Sequence, residues 1–149
     1  MTSTPAFAAR RDHEAIETGT AFAPKFDADG LIVAIVTDVD SGEVLMVAYM
    51  NAEALARTVE TGDAWFLSRS RKKLWMKGEE SGNRLAVMEL RVDCDQDAIL
   101  VRARMAGDGV ACHQGYRSCF YRRIPTGQPV SADLTLSFDR DMKRVPRSE

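Results

Sequence analysis

Leu31-Ile-Val-Ala-Ile-Val-Thr37, Asp38-Val-Asp-Ser-Gly42 and Val44-Leu-Met-Val-Ala-Tyr-Met50 together decide the architecture. Two apolar, β-rich runs flank a segment whose Asp, Ser and Gly suit a turn, so the stretch reads as a buried hairpin. Working outward, Asn51 is placed to cap a helix from Ala52 to about Glu60, with Leu55 and Val59 on one face and Gly62 ending it. Strands resume at Ala64-Trp-Phe-Leu67. From Leu85 to Cys94 the pattern alternates, and an extended strand would put Met88, Leu90, Val92 and Cys94 on one face and Arg91, Asp93 and Asp95 on the other. A turn near Gln96 and Asp97 leads into a return strand, Ile99 to Met105. Phe120 to Ile124 and the alternating Leu134, Leu136 and Phe138 suggest two more strands. The fold class expected is α+β: a compact, β-rich single domain with one or two short helices.

The chain has 149 residues, 45% apolar and 28% charged, with ten Gly and five Pro, the proportions of one globular domain with little room for a second. Residues 1–25 lack sustained periodicity and read as a poorly ordered arm or a short helix outside the core. Residues 26–138 form the domain, and the charged stretch 139–149 reads as a frayed tail. A formal charge of −2 removes the global cationic field that non-specific nucleic-acid binding needs, so no nucleic-acid partner is expected, although a local basic site stays open. The apolar runs are far shorter than the roughly 20 residues that cross a bilayer, and the first 25 residues hold no apolar run that could serve a secretory signal. A cytoplasmic protein without a membrane partner is the expectation. Three cysteines cannot all pair within one subunit, so metal binding or simple burial must explain them.

Three groups of residues could carry chemistry. Asp93-Cys-Asp-Gln-Asp97 offers carboxylates at alternate positions, which could converge on a hard cation such as Mg²⁺. A calcium loop of the EF-hand type would need Gly and Glu where Ala98 and Arg104 stand; a solvated acidic turn remains the plain alternative. Cys112-His-Gln-Gly-Tyr-Arg-Ser-Cys119 adds two thiols to Cys94. Three soft ligands leave one position open on a tetrahedral zinc, the arrangement of a catalytic site, whereas three thiols packed as small hydrophobes would need no metal. His113 could be a fourth ligand or a proton-transfer group beside the metal. Finally, Ser68-Arg-Ser-Arg71, with Lys72, Lys73, Trp75, Lys77, Gly78, Ser81, Gly82 and Asn83, places cations, hydroxyls and glycine-released amides around one ring. That suits a ligand with terminal phosphates and a flat base, and would equally suit single-stranded nucleic acid or a plain basic loop.

Taken in order, Val44-Leu-Met-Val-Ala-Tyr-Met-Asn-Ala-Glu-Ala-Leu55, Ser68-Arg-Ser-Arg71, Leu74-Trp-Met-Lys-Gly-Glu-Glu-Ser-Gly-Asn83, Asp93-Cys-Asp-Gln-Asp97 and Cys112-His-Gln-Gly-Tyr-Arg-Ser-Cys-Phe120 resemble the phosphoribosyl-AMP cyclohydrolases of histidine biosynthesis. The resemblance spans residues 27–124 and implies a β-rich α+β fold that forms a homodimer with metal sites completed at the subunit interface. It implies Cys94, Cys112 and Cys119 as ligands of one zinc per subunit, with Cys94 from one chain and the pair from the other, and Asp93, Asp95 and Asp97 as magnesium ligands. Many members carry a phosphoribosyl-ATP pyrophosphohydrolase domain as well; this chain is expected to be the monofunctional form.

The substrate so implied is phosphoribosyl-AMP, whose N1–C6 amidine is electron-poor. Hydrolysis adds water at C6, breaks N1–C6 and keeps the exocyclic nitrogen as a carboxamide. Zinc would supply the nucleophile by acidifying water, as in nucleobase deaminases, whose H-x-E and P-C-x-x-C signature this chain lacks. Three thiolates make that water less acidic than three imidazoles would, so a nearby base is useful, and His113 is the candidate. Magnesium on the aspartates and the cationic Arg69, Arg71 and Lys77 would offset the two phosphates, with Trp75 packing near the base and Ser81 and Asn83 as further substrate-binding residues. Two rival readings have no such turnover: a zinc-stabilised nucleic-acid module using Arg69 to Trp75, and a structural zinc dimer.

Overall fold

The computed structural model describes residues 6–146. The hairpin of the opening stretch is present as β1 (Ile32–Asp38) and β2 (Val44–Met50), paired antiparallel. Its turn closes through Asp38, whose carboxylate accepts from the Ser41 N–H and hydroxyl, while Gly42 takes the left-handed φ of 77° the bend requires. The register slips between Val36 and Thr37, which brings Leu45 and Met46 both inward. β1 is the more deeply buried partner, because β2 lies at the sheet edge and leaves Val47 44% exposed.

The helix, α2 (Ala52–Thr61), starts where Asn51 accepts from the Ala54 N–H at 2.8 Å and stops at left-handed Gly62. Its inward face is not Leu55 with Val59: Val59 is 53% exposed, and Thr58 is buried in its place. The Thr58 hydroxyl donates to the Ala54 carbonyl and accepts from the Trp65 N–H, which ties the helix to the start of the next strand. That strand, β3 (Trp65–Ser68), pairs antiparallel with β4 (Lys73–Met76) as a separate two-stranded sheet. Fully buried Phe66 packs on the Trp75 ring at 5.0 Å and fixes this hairpin against the core.

β5 (Leu85–Val92) and β6 (Ala98–Met105) complete the main sheet in the order β2-β1-β6-β5, with β1 and β6 parallel. The alternation expected through β5 breaks at a bulge between Val87 and Glu89. One extra residue reverses the parity, so Leu85, Val87 and Leu90 turn inward, and Met88 and Val92 are exposed. Strand structure stops at Val92, leaving Asp93 to Asp97 in the turn rather than on a strand face. Between Phe120 and Phe138 only β7 (Arg122–Arg123) and β8 (Ser137–Phe138) pair. The result is a small β-rich domain with two helices, of the α+β class.

Both ends pack on this body. The arm carries α1 (His13–Thr18), buries Ile16, Ala23 and Pro24, and sets Phe7, Phe22 and Phe26 against the core; it is therefore not outside it. The stretch after Asp139 is also held: Met142 is buried, and the Val145 N–H donates to the Gly115 carbonyl at 2.8 Å. The outermost parts of arm and tail, residues 1–5 and 147–149, lie outside the described residues. No described helix is long and apolar enough to cross a membrane.

Candidate active site

The segment from Cys112 to Cys119 doubles back on itself. Cys112 N–H donates to Tyr116 O at 3.0 Å, Ala111 N–H to Arg117 O at 3.1 Å, and Gly115 bends the chain with φ 93°. The loop is pinned to β2 by Cys119 N–H on Leu45 O at 2.7 Å and by the buried Ser118 hydroxyl on Val44 O at 2.7 Å. These bonds bring Cys112 and Cys119 close enough for the two sulfurs to influence each other. Burial first, and then the neighbouring Cys112 sulfur, pushes the Cys119 thiol up to about 11. Lys77 stands beside both sulfurs, its ammonium held below the ordinary lysine range by burial, an effect the two thiols oppose. The Gln114 N–H points at Cys112 Sγ from 3.4 Å. Two adjacent sulfurs with a backbone donor and an ammonium beside them are a donor set suited to a soft cation such as zinc.

A cleft of about 360 Å³ opens at Cys112, walled also by Lys77, Glu80, Ser81, Asn83 and His113. Val145 and Pro146 close its tail side. Adding a Cβ at Gly115 would bring it 2.1 Å from the Val145 carbonyl, so this glycine is needed for the close passage of the tail as well as for its φ. A smaller recess shares Lys77, Glu80 and Ser81 and adds Arg71 and Trp75. Lys77, Ser81 and Asn83 thus meet Cys112 and His113 at one cleft, while Arg71 and Trp75 extend it. Arg69 is placed differently, stacking its guanidinium 4.2 Å over the Tyr49 ring. Asn83 is partly committed, since its Oδ1 accepts from the Asp108 N–H at 2.9 Å.

Cys94 is absent from this cleft. It is exposed in the β5–β6 turn, in a hollow lined by arm residues Glu17, Gly19 and Phe22, whereas Cys119 is bonded to β2 on the opposite side of the sheet. More than two strand spacings intervene, roughly 10 Å or more, where sulfurs sharing a zinc sit about 2.3 Å from the metal. One chain alone does not gather the three thiols. Among the described residues the group of three ligating side chains brought together is Asp93, Asp95 and Asp97, their ligand oxygens within 4.8 Å of one another.

That convergence comes from the turn. Asp93 Oδ1 accepts from the Asp97 and Ala98 N–H groups at 2.9 and 3.1 Å, and Gln96 adopts φ 60°. Hydrogen bonding to Asp93 and then Asp95 raises the Asp97 carboxyl to about 6. Burial pushes the Asp93 carboxyl up, but its hydrogen bonds from the Asp97 side chain and the two amides together hold it below the ordinary range. Asp97, with a folded pKa above its unfolded value, adds stability to the metal-free protein at low pH that is lost as pH rises through about 6. A divalent cation must displace the shared proton. Mn²⁺ affinity at this turn, measured by calorimetry, is therefore expected to fall as pH is lowered through about 6; a flat profile from pH 5 to 8 would contradict this.

A thiol, an ammonium and an imidazole lining one polar cleft, on a small α+β body, are the groups a hydrolytic site would use. The family model for phosphoribosyl-AMP cyclohydrolase matches residues 46–121. Proteins of that name from Brucella abortus (strain S19), Brucella anthropi and Rhodopseudomonas palustris (strain HaA2) are 58%, 63% and 55% identical to this chain. The alignments cover 87%, 86% and 85% of the chain and 93%, 89% and 88% of those proteins. The chain belongs to the phosphoribosyl-AMP cyclohydrolase family, hydrolases of histidine biosynthesis.

Glu80, Asp108, Val145 and Pro146 line the cleft although the sequence did not single them out. Glu80 sits inside the Lys77-to-Asn83 motif and could have been found there. Val145 and Pro146 carry no such signal, because only the passage of the tail beside Gly115 places them.

Proposed function

We propose that the chain hydrolyses 1-(5-phosphoribosyl)-AMP at the N1–C6 bond, giving the phosphoribosyl-formimino-aminoimidazole carboxamide ribotide, as a cytoplasmic homodimer acting in the third step of histidine biosynthesis. Residues 26–138 are the cyclohydrolase domain in this reading. The observation that carries it is Cys112, neighbour of Cys119, lining one cleft with Lys77 and His113, the two thiols being one short of a zinc site within the chain. Cys112 and Cys119 of one subunit and Cys94 of its partner would hold the zinc, which supplies Lewis acidity that makes water a nucleophile near neutral pH. Asp93, Asp95 and Asp97 would hold Mg²⁺, a counter-charge for phosphate.

The protein's own groups do the rest. Lys77, Arg69 and Arg71 meet the phosphates, Ser81 and Asn83 the ribosyl hydroxyls, and Trp75 the base. His113 takes the proton of the water that adds at C6. As N1–C6 breaks, its electron pair goes to N1, which is protonated, while C6 keeps the new oxygen and the exocyclic nitrogen as a carboxamide.

The direct test is to follow the absorbance change of ring opening with phosphoribosyl-AMP, Zn²⁺ and Mg²⁺; no change under these conditions overturns the reading. Metal content separates the two sites. The protein is expected to hold about one zinc per subunit, lost in Cys119→Ser, because thiolates supply most of the affinity. Asp93→Asn and Asp97→Asn are expected to keep that zinc while needing several-fold more Mg²⁺ for half-maximal rate. Zinc loss in a folded aspartate variant would show that the two sites are not separable.

A further inference from the structure

Gln96 sits in the middle of the acidic turn but directs its side chain away from the solvent, with only 5% of its surface exposed. Its Oε1 accepts from Ala23 N–H at 2.8 Å, and its Nε2 donates to the carbonyls of Ile16 at 3.1 Å and Ala21 at 3.2 Å. Its own carbonyl accepts from Lys25 N–H at 2.7 Å. The amide is thus committed wholly to the backbone of the arm, on both sides of α1's exit. A second link runs the other way: one Arg10 nitrogen donates to the carbonyls of Ala23 and Asp95, each at 2.8 Å. Arm and turn are stitched together at two successive turn residues, Asp95 and Gln96.

The turn needs outside support. Three carboxylates within 4.8 Å of one another repel, and φ 60° at Gln96 is a left-handed conformation that a residue with a Cβ adopts at a cost. Such a conformation persists when its surroundings over-determine it. Here the surroundings are the arm. We propose that the arm acts as a clasp, with Gln96 and Arg10 as positioning residues that preset the Asp93–Asp97 turn for a divalent cation and fix Cys94 beside it. The proposal rests on the reading of that turn as the Mg²⁺ site.

The test compares Gln96→Gly, Arg10→Ala and Arg10→Lys with the unaltered zinc-loaded, full-length protein. Glycine keeps the left-handed backbone without strain while removing the amide, and the Arg10 variants, which leave Gln96 in place, separate loss of the clasp from the added backbone freedom of glycine. Arg10 is exposed, so its variants keep the test alive if Gln96→Gly folds poorly. Hydrogen exchange is read at the amides of Ala23, Lys25, Asp97 and Ala98, alongside Mn²⁺ affinity by calorimetry. Loss of the clasp is expected to speed exchange at Asp97 and Ala98 about 10-fold and to weaken Mn²⁺ by a similar factor, with β1 and β6 amides unchanged. Turnover should return at saturating Mg²⁺, so the metal dependence shifts and the limiting rate does not. Arg10→Lys, which can still donate to both carbonyls, should lie nearer the unaltered protein than Arg10→Ala. Arm amides that open while Asp97, Ala98 and Mn²⁺ affinity stay unchanged would reduce the clasp to mere packing and overturn the proposal, as would an arm that stays closed in Gln96→Gly. An unaltered protein that binds no Mn²⁺ at the turn would instead remove the Mg²⁺ reading, and exchange at Asp97 and Ala98 would still decide whether the arm holds the turn.

Discussion

An equimolar mixture of Cys94→Ser and Cys112→Ser subunits is expected to recover about a quarter of wild-type activity, although neither variant is active alone. Each homodimer has two broken sites. In a two-fold dimer whose sites join Cys94 of one subunit to the pair of the other, a heterodimer has one site with every thiol and one lacking two. Random exchange makes about half the dimers mixed, each with one of two sites whole. The geometry within one chain favours this outcome, because Cys94 lies in the β5–β6 turn while Cys119 is bonded to β2 at the other side of the sheet. Zinc content should follow activity, rising in the mixture from near zero. A mixture that stays inactive after subunit exchange, verified by tagged subunits, would mean that each chain rearranges to close its own site.

The local signals in the sequence were legible and the long-range ones were not. Turn chemistry at Asp38 to Gly42 and the caps at Asn51 and Gly62 act through neighbours a few residues away, so β1, β2 and α2 could be placed from residue types alone. Strand faces failed at β5 because parity survives only until a bulge, and nothing in Val87 to Glu89 announces one. The acidic trio illustrates the same limit. Its members were readable as a group from alternate spacing, yet they converge through a turn with Gln96 at positive φ, where Asp93 gathers the Asp97 and Ala98 amides. β4 was hidden because Lys72, Lys73 and Lys77 around Leu74 and Trp75 read as a basic loop; pairing with β3 over buried Phe66 makes it a strand. Arm and tail looked free since their anchors, Gln96 and Gly115, lie roughly 80 and 30 residues away in sequence.

His113→Ala is expected to lower kcat by about 10²- to 10⁴-fold, the usual worth of a positioned proton-transfer group, while KM and zinc content change little. The ring is exposed in the cleft that Lys77 also lines, and it makes a side-chain contact with the Gln114 amide at 3.4 Å. Among the described residues it does not join Cys112 and Cys119 as a third ligand at one point, which favours proton transfer over coordination. An exposed side chain with a single weak contact also contributes little to stability, so Tm should move by no more than a few degrees. Three measurements on the one variant then separate the roles: a ligand would take zinc with it, a packing residue would lower Tm and spare the rate, and a base would lower the rate alone. Full zinc, unchanged Tm and near-normal turnover at neutral pH would remove His113 from the reaction, leaving Glu80, a carboxylate that lines the same cleft, as the group to substitute next.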